Sequence, residues 1–474
     1  MRKFDSNVQV LKYKVLREVA RHYWEGEEIF SVFNEIANEI VKKGQPSTSC
    51  CIYKDRAKVA ERIRIALGNR KNPNIIEVID LVCDECPESG HVVTDLCRGC
   101  LAHACEASCR LNAISFGKDN KAIIDKSKCV ECGQCAKACP YSAINNFIRP
   151  CVRSCKADAI HMAETGEAEI DYEKCVSCGA CVTQCPFGAT VDKSYITNLI
   201  DMIKGSEGNT KYKVNAIIAP AFVSQFDYAT IGQVIQGLRE LGFEGIYEAA
   251  QGADLVAYYE AKELEEKGFL TTSCCPAFVE YIEKNFPDLV PNISHNLSPM
   301  GTIGKIIKDE DPTCKNIFIG PCTAKKAEFQ LEKVKDYIDC VITFEELQAL
   351  FDSKDIDIEN LESTPIDDAT PFGRGFAKSG GVAAAVVEAL IEQGSDFVPD
   401  TVAVEGLDKC KPVLMRASRG MLKNNLIEGM ACANGCIGGA GCLSHTDKHK
   451  VVIDQHAREA THKEITKVVE GFSK

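Results

Sequence analysis

The sequence predicts an α/β domain that is preceded by a cysteine-rich α+β region and a small helical segment. Three observations predict this arrangement: apolar residues recur at helical spacing before residue 80, 16 of the 27 cysteines fall between residues 81 and 195, and strands alternate with helices after residue 205. A chain of 474 residues is too long for one ordinary hydrophobic core. We therefore predict boundaries of 1–80 for the helical segment, 81–200 for the cysteine-rich region and 205–474 for the α/β domain.

Composition and charge exclude several classes of function. The net charge of −13 disfavours nucleic acid as a partner, because contacts to phosphate need clustered Lys and Arg. No apolar run approaches the roughly 20 residues that cross a bilayer, and the N-terminus MRKFDSNVQV lacks the apolar segment of a secretory signal. We therefore expect no nucleic-acid partner, no membrane and a cytoplasmic location, where 27 reduced cysteines indicate metal binding.

The N-terminal segment is predicted to be helical from its apolar periodicity. Val8, Leu11 and Val15 recur at helical spacing, and two further amphipathic stretches cover residues 29–41 and 56–67. We interpret this segment as a small helical cap on the rest of the protein.

The cysteine-rich region contains an internal repeat, Cys-x3-Cys followed by x3-Ala and then Ile or Thr. The repeat begins at Cys105, Cys135, Cys151 and Cys181, and each copy predicts a one-turn helix followed by a short strand. Residues 129–140 and 175–186 carry the full C-x2-C-x2-C-x3-C-P pattern of bacterial ferredoxins, in which the fourth cysteine binds the other cluster. Zinc is disfavoured, because its C-x2-C pairs commonly lie well apart. The region is therefore predicted to be ferredoxin-like and to carry electrons.

These spacings predict three to four accessory 4Fe–4S clusters. The full motifs assign one cluster to Cys129, Cys132, Cys135 and Cys185, and another to Cys175, Cys178, Cys181 and Cys139. The remaining cysteines assign a third to Cys97, Cys100, Cys105 and Cys155, and a fourth to Cys83, Cys86, Cys109 and Cys151. The alternative to a fourth cluster is that the repeat at Cys151 and Cys155 is degenerate, because it lacks an upstream C-x2-C.

The α/β domain is predicted from alternating strands and helices. The predicted strands cover residues 215–219, 269–272, 316–319 and 401–404, and the predicted helices cover residues 231–241, 255–265, 278–285 and 382–391. This alternation favours a largely parallel sheet with helices on both faces. Cysteines follow several of these strands, which is where α/β folds place their chemistry.

Three cysteine-bearing segments of this domain stand out: TTSCCPAF at 271–278, IGPCTAKKAEF at 319–329 and EGMACANGCIGGAG at 428–441. The second places Lys325 one helical turn after the Cys322 thiol. The third places C-x3-C among glycines, which let the backbone approach a bulky group. Together the segments offer four thiols for one more soft-metal cluster.

These segments resemble the signature motifs of the iron-only (FeFe) hydrogenases, in the same order and at similar separations, over roughly residues 125–445. The resemblance implies two parallel-sheet lobes around an active-site cluster and a reaction that interconverts protons plus electrons with hydrogen gas. The implied cofactor is an H-cluster, a 4Fe–4S cube joined to a diiron unit that carries CO, cyanide and azadithiolate. A ferredoxin-type electron carrier, maturation proteins for the diiron unit and anaerobic operation are also implied.

The same resemblance implies the residues that bind the cofactor. Lys325 would hydrogen-bond a cyanide, and Met430 and Pro220 would lie against the diiron unit. The implied ligands of the cube are Cys275, Cys322, Cys432 and Cys436, and the last of these bridges to the diiron unit.

A proton relay is implied by the same matching. Cys274 would donate protons to the cofactor, because a thiol titrates closer to neutrality than a hydroxyl. The relay would continue through Glu260, Glu263 and Ser294. The alternative for the two glutamates is a solvated helix face, since acidic residues also follow them at 265 and 266.

Five residues depart from the commonest family pattern: Gly320, Ala221, Ala277, Phe278 and Ala440. We expect them around the diiron unit, where potential and solvent access are tuned, and they indicate a divergent subgroup. Three alternatives are a hydrogen-sensing regulator with the same cofactor and little turnover, a non-catalytic relative that assembles iron–sulfur proteins, and a plain multi-cluster electron carrier.

Overall fold

The computed structural model describes residues 4–44, 49–68, 72–84, 86–87 and 89–472. The N-terminal segment forms α1 (Asn7–Glu25), α2 (Ile29–Ile40) and α3 (Ile52–Ala66), as its periodicity predicts. Ser6 caps α1 by accepting a hydrogen bond from the backbone of Gln9, and Gly26 ends the helix in the left-handed conformation. Val15, Leu16 and Val19 of α1 are buried in the core cluster that also contains the α/β domain.

The cysteine-rich region is built from short antiparallel strand pairs and one-turn helices. Its elements are β1 (Ile76–Val78), α4 (Asp80–Cys83), β2 (Gly90–Val93), α5 (Ala104–Ala107), β3 (Ile114–Phe116), β4 (Ala122–Ile124), α6 (Gln134–Ala138), β5 (Ile144–Phe147), α7 (Pro150–Ser154), β6 (Ile160–Met162), β7 (Ala168–Ile170), α8 (Ala180–Gln184) and β8 (Thr190–Asp192). β2 pairs with β5 around the β3–β4 hairpin, and β1 pairs with β8 around the β6–β7 hairpin. One ferredoxin-like unit, residues 90–147, is therefore inserted within a second unit.

The internal repeat has the structure that its sequence predicts. Helices α5, α6, α7 and α8 are each followed by a strand that begins at the predicted Ile or Thr. In every copy the alanine is buried, and its backbone N–H donates to the thiol four residues earlier, at 3.2 to 3.4 Å. The alanine is small because it lies directly beside the sulfur that its N–H contacts.

The α/β domain contains two separate parallel sheets. Its elements are α9 (Ile196–Gly205), β9 (Val214–Ile218), α10 (Ile231–Leu241), β10 (Gly245–Glu248), α11 (Ala249–Lys267), β11 (Leu270–Thr271), α12 (Pro276–Asn285), α13 (Pro299–Glu310), β12 (Lys315–Gly320), α14 (Thr323–Glu328), β13 (Cys340–Thr343), α15 (Phe344–Ser353), α16 (Pro371–Gly375), α17 (Gly381–Glu392), β14 (Thr401–Glu405), α18 (Leu407–Ser418), β15 (Leu426–Met430), α19 (Lys448–Glu459) and α20 (Ile465–Gly471). One sheet has the order β10-β9-β12-β13 and the other β11-β15-β14.

Both sheets are parallel throughout, as the alternation of strands and helices predicts. The four predicted strands correspond to β9, β11, β12 and β14, and three further strands, β10, β13 and β15, were not predicted. β13 and β15 are buried at every residue, so they lack the alternation that a sequence reveals, and β10 is a four-residue strand at the edge of its sheet. Among the described residues, no helix combines the length and apolar character that crossing a bilayer requires.

A buried ion network joins the three parts of the chain. Lys326 of α14 lies 2.9 Å from a carboxylate oxygen of Asp192, which ends β8, and 2.9 Å from Glu346 of α15. Lys12 of α1 lies 2.5 Å from Asp192 and 2.5 Å from Glu345. Burial alone would raise the pKa of Asp192, but Lys12 and Lys326 hold it below its usual range.

Candidate metal centre

Four thiols of the α/β domain follow the carboxyl ends of parallel strands. Cys275 comes after β11 and caps α12, and Cys322 comes after β12 and caps α14. Cys432 and Cys436 lie in the loop after β15. Because β11 and β15 belong to one sheet and β12 to the other, the thiols come together where the two sheets meet.

The electrostatics of these thiols place them beside one another. Burial raises the pKa of Cys322 to about 11; the Cys275 thiolate contributes to the rise, and Lys325 opposes it. Burial also raises the pKa values of Cys432 and Cys436, and in both cases Cys322 and Cys275 raise them further. Four partly buried thiols that disfavour each other's ionisation need a cationic core to become thiolates. This donor set therefore fits an iron–sulfur cube.

A cavity with mainly apolar walls lies beside the thiols. Pro220, Met430, Phe318 and Phe376 contribute to its walls. Apart from three of the thiols themselves, its ionisable lining groups among the described residues are Cys274 and Lys325. The cavity can thus hold a compact group away from water, with one acid and one cation facing it.

Lys325 is held in place by two partners that the sequence analysis missed. Its Nζ donates to Ser298 Oγ at 2.7 Å and lies 2.6 Å from Glu328 Oε2. Burial lowers the pKa of Lys325, but the Glu328 carboxylate more than offsets this and raises it. Glu328 could have been found, because it lies three residues after Lys325 in the same motif and so on the same helix face. Ser298 precedes α13, and the sequence carries no signal for its role.

Cys274 is a partly buried residue of the cavity wall, and Glu260 lies behind it. Burial raises the pKa of Cys274 well above its usual value, and the Glu260 carboxylate raises it further. Glu260 is fully buried and accepts hydrogen bonds from the backbone and hydroxyl of Ser273, at 3.1 and 3.2 Å. Burial raises the pKa of Glu260 to about 7, and contacts with Ser273 and Ser294 oppose the rise. Both groups are therefore able to hold a proton near neutral pH.

The surface end of this path is Glu263. Ser294 Oγ donates to Glu263 Oε2 at 3.3 Å, so Ser294 lies between the two glutamates. Glu263 is mostly buried and lies 2.7 Å from Lys267 and 2.8 Å from His295. The alternative of a solvated helix face does not apply to Glu260, because its side chain is buried. The structure brings the predicted relay residues together, while their role in proton transfer stays a prediction.

The accessory cysteines also form quartets, but the predicted pairing of their fourth ligands is wrong. One small cavity is lined by Cys97, Cys100, Cys105 and Cys139, and another by Cys83, Cys86, Cys151 and Cys185. Burial raises the pKa of Cys135, with Cys129 and Cys109 contributing, so Cys109 joins the loop of Cys129, Cys132 and Cys135. Burial likewise raises the pKa of Cys181, with Cys155 among the contributors, so Cys155 joins Cys175, Cys178 and Cys181.

The physical reason is that each ferredoxin-like unit exchanges ligands within itself. Helix α5 packs against α6 in the inserted unit, and α7 packs against α8 in the outer one. The reading of Cys151 and Cys155 as a degenerate repeat is also wrong. The upstream C-x2-C of this repeat is Cys83 and Cys86, which the inserted unit separates from Cys151 by more than 60 residues. Two quartets thus line cavities of their own, and the charge contacts group the remaining eight cysteines as two further candidate quartets. Cys178 of one of these lies near Cys275 and Cys432 of the metal centre.

The departures from the family pattern occupy two different places. Ala221 lines the cavity, and a side chain at Gly320 would start 2.6 Å from the Phe318 ring, which takes up that space. Ala277 and Phe278 instead lie in the apolar cluster that includes Cys175 and Cys178.

Ala440 lies against Gly179 in the loop of the outer ferredoxin-like unit, where a Cβ on Gly179 would come within 2.5 Å of it. Ala277, Phe278 and Ala440 thus lie outside the immediate lining of the cavity, and their influence on the diiron unit stays a prediction. These three residues shape the contact between the metal centre and the neighbouring quartet.

Comparison with known proteins gives the following matches. The family described as "Iron only hydrogenase large subunit, C-terminal domain" matches residues 212–440, and the "4Fe-4S binding domain" matches residues 122–145 and 168–190. Iron hydrogenase 1 from Clostridium pasteurianum is 30% identical over 371 residues, which cover 67% of this chain and 64% of that protein. The cytosolic Fe-S cluster assembly factor NAR1 from Kluyveromyces lactis is 32% identical over 174 residues, which cover 34% of this chain and 37% of that protein.

The chain thus spans less than two thirds of the length of these two relatives. A solved structure of a variant of the FeFe-hydrogenase HydA1 from Chlamydomonas reinhardtii is 20% identical, with a TM-score of 0.46, and the match covers 58% of this chain and 92% of that one. Residues 212–440 therefore form a domain of the iron-only hydrogenase family, which is divergent in its motifs and is preceded by 4Fe–4S binding domains.

Proposed function

We propose that this protein is a hydrogenase, which interconverts protons plus electrons with hydrogen gas at an H-cluster. The observation that carries the proposal is the arrangement at the cavity: four convergent thiols, three of which line it, a charged Lys325, and a protonated Cys274 with Glu260 behind it. Cys275, Cys322, Cys432 and Cys436 would hold the cube, and the cavity between Pro220 and Met430 would take the diiron unit. When bound, this group supplies the centre at which electrons and protons combine.

The chain's own residues would perform four tasks. Cys274 holds a proton on its Sγ at the cavity wall, and Glu260 replaces it from behind. Ser294 and Glu263 connect Glu260 to the surface. Lys325, fixed by Glu328, presents a positive charge to an anionic ligand. The apolar walls exclude water, which strengthens each of these interactions.

Electrons would arrive through the four accessory quartets. The quartet of Cys155, Cys175, Cys178 and Cys181 lies nearest to the metal centre, because its Cys178 neighbours Cys275 and Cys432. We propose a ferredoxin-type protein as the external carrier, and dedicated maturation proteins as the source of the diiron unit.

A second candidate function is assembly of iron–sulfur proteins without hydrogen chemistry. The similarity to the assembly factor NAR1 favours it. The buried proton path and the charged lysine at the cavity have no purpose in that function, so we place it second. A hydrogen-sensing role with low turnover is a variant of the first proposal and differs from it in rate.

The deciding experiment uses anaerobically prepared protein that has been exposed to the maturation proteins. We expect iron for five cubes plus a diiron unit, infrared bands from CO and cyanide, and hydrogen evolution with a reduced ferredoxin or an artificial donor. Intact cubes without such bands would overturn the hydrogenase proposal in favour of assembly, whereas bands with very low turnover would indicate a sensor.

A further inference from the structure

Two buried arginines flank one of the four accessory quartets, that of Cys83, Cys86, Cys151 and Cys185. We call this quartet the arginine-flanked quartet. Arg149 precedes α7 and is only 3% exposed. Its Nη1 lies 3.6 Å from Cys83 Sγ, while Nη2 and Nε donate to the carbonyls of Cys86 and Pro87 at 3.0 and 2.9 Å. The Arg149 guanidinium thus contacts the Cys83 thiol and the backbone carbonyl of Cys86, and both of these cysteines belong to the same quartet.

Arg62 reaches the same quartet from the N-terminal segment. It lies on α3, is 6% exposed, and donates from Nη2 to the carbonyl of Phe187 at 3.2 Å. Its Nε has no hydrogen-bond partner among the described residues. Burial lowers the pKa of Arg62 to about 10, and the Cys185 thiolate is the charge that opposes this. Gly188, at φ +64°, leaves the room in which the guanidinium lies.

Neither arginine has a carboxylate within ion-pair distance among the residues that the structure describes. Burying an unpaired cation is costly, so a native protein normally supplies an anion for it. A 4Fe–4S cluster held by four thiolates is such an anion, and it becomes more negative by one charge on reduction. The arginine-flanked quartet therefore has the electrostatic surroundings that its reduced cluster requires.

The basic residues beside other quartets are arranged differently. Arg98, beside Cys97 and Cys100, is exposed. Lys284, which donates to the carbonyl of Cys175, is paired with Glu280. Charges that are exposed or already neutralised act weakly on a neighbouring group.

We propose that the cluster of the arginine-flanked quartet is the most readily reduced of the four accessory clusters, and that it stores an electron for the chain. Two fixed positive charges favour the added electron, and no bond forms or breaks when it arrives from the external carrier. The N-terminal helical segment then acts through Arg62 on the redox chemistry of the protein. This inference rests on cluster binding and does not require hydrogen turnover.

The test is a redox titration with dithionite, followed by electron paramagnetic resonance, on full-length protein prepared anaerobically without diiron maturation. Cys86→Ser should remove or alter the signal with the highest midpoint potential. Arg62→Gln combined with Arg149→Gln should lower that potential by the equivalent of at least about tenfold in the reduction equilibrium, which is about 59 mV for one electron. Arg153→Gln, an exposed arginine on α7, is the matched control and should leave all potentials unchanged.

Two outcomes would overturn the inference: the highest-potential signal survives Cys86→Ser, or it keeps its potential in the double variant at full iron content. If Arg149→Gln lowers the iron content, Arg62→Gln and the charge-preserving Arg149→Lys decide instead. We expect Arg62→Gln to lower the potential and Arg149→Lys to keep it close to the parental value. Hydrogen assays on matured protein are independent of these redox readouts. Failure of the hydrogenase proposal can therefore be distinguished from failure of this inference.

Discussion

At the scale of single residues, proton supply to the cavity depends on Cys274. The thiol is neutral at physiological pH, because burial and then the Glu260 carboxylate raise its pKa. Cys274→Ala should keep the full iron content and lose hydrogen turnover by about 10²- to 10⁴-fold, the usual contribution of a positioned acid. The measurement is the rate of hydrogen evolution, normalised to the iron content of each preparation. Cys410→Ala, which removes a buried thiol of α18 outside the cavity, is the control, and near-parental turnover in Cys274→Ala would remove the thiol from the path.

Glu260 gives the same path a pH dependence. Its pKa is raised to about 7 by burial, so the carboxyl is protonated below that pH and ionised above it. Hydrogen evolution should therefore fall as the pH rises through about 7, provided that electron supply is saturating. Glu260→Gln should lower the rate and abolish this step in the pH profile. A variant that retains the step would assign the titration to another group.

At the scale of elements, nesting of the two ferredoxin-like units decides which cysteines share a cluster. Helices α5 and α6 exchange their ligands, so Cys139 belongs with Cys97, Cys100 and Cys105. Cys139→Ser and Cys97→Ser should each cost one cluster's iron, and the double variant should cost no more than either one. Cys139→Ser combined with Cys132→Ser should cost two clusters.

Anaerobic iron quantification on these two variant pairs, and on Cys139→Ser combined with Cys181→Ser, distinguishes the ligand pairing in the structure from the pairing predicted from the sequence. If Cys139→Ser and Cys97→Ser were additive, while Cys139→Ser and Cys181→Ser were not, the ligand exchange would follow the sequence motif rather than the nested units. The inserted unit also explains why the outer repeat looks incomplete along the chain, since β1 and Cys83 lie before the insertion.

At the scale of the whole molecule, the buried network of Lys12, Asp192 and Lys326 holds the three parts together. Asp192→Asn leaves both lysines short of an anion and should lower the free energy of unfolding by about 3–5 kcal/mol. The two lysines lower the pKa of Asp192 in the folded protein. Its contribution to the free energy of unfolding is therefore fully present above the pKa of about 3.9 in the unfolded chain, and is lost as the pH falls through the lower pKa of the folded protein.

Thermal unfolding of the anaerobic protein measures this effect, and the lowered Tm should persist from pH 8 to about pH 5. Glu332→Gln, which breaks an exposed ion pair with Lys335, is the control and should leave the Tm unchanged. An unchanged Tm in Asp192→Asn at neutral pH would contradict the stabilising role of the network.

The local chemistry of this protein was readable along the chain. Spacing predicted the one-turn helices, the loop cysteines of each cluster and the strands that precede Cys275 and Cys322, because these features depend on residues within a few positions of each other. Glu328 was within reach of the same reasoning. What required the tertiary structure was every contact between distant segments: the fourth ligand of each accessory cluster, Ser298 against Lys325, and Arg62 against the Cys185 loop. Such contacts depend on which strands pair and which helices pack, and several pairings fit the same spacing of cysteines equally well.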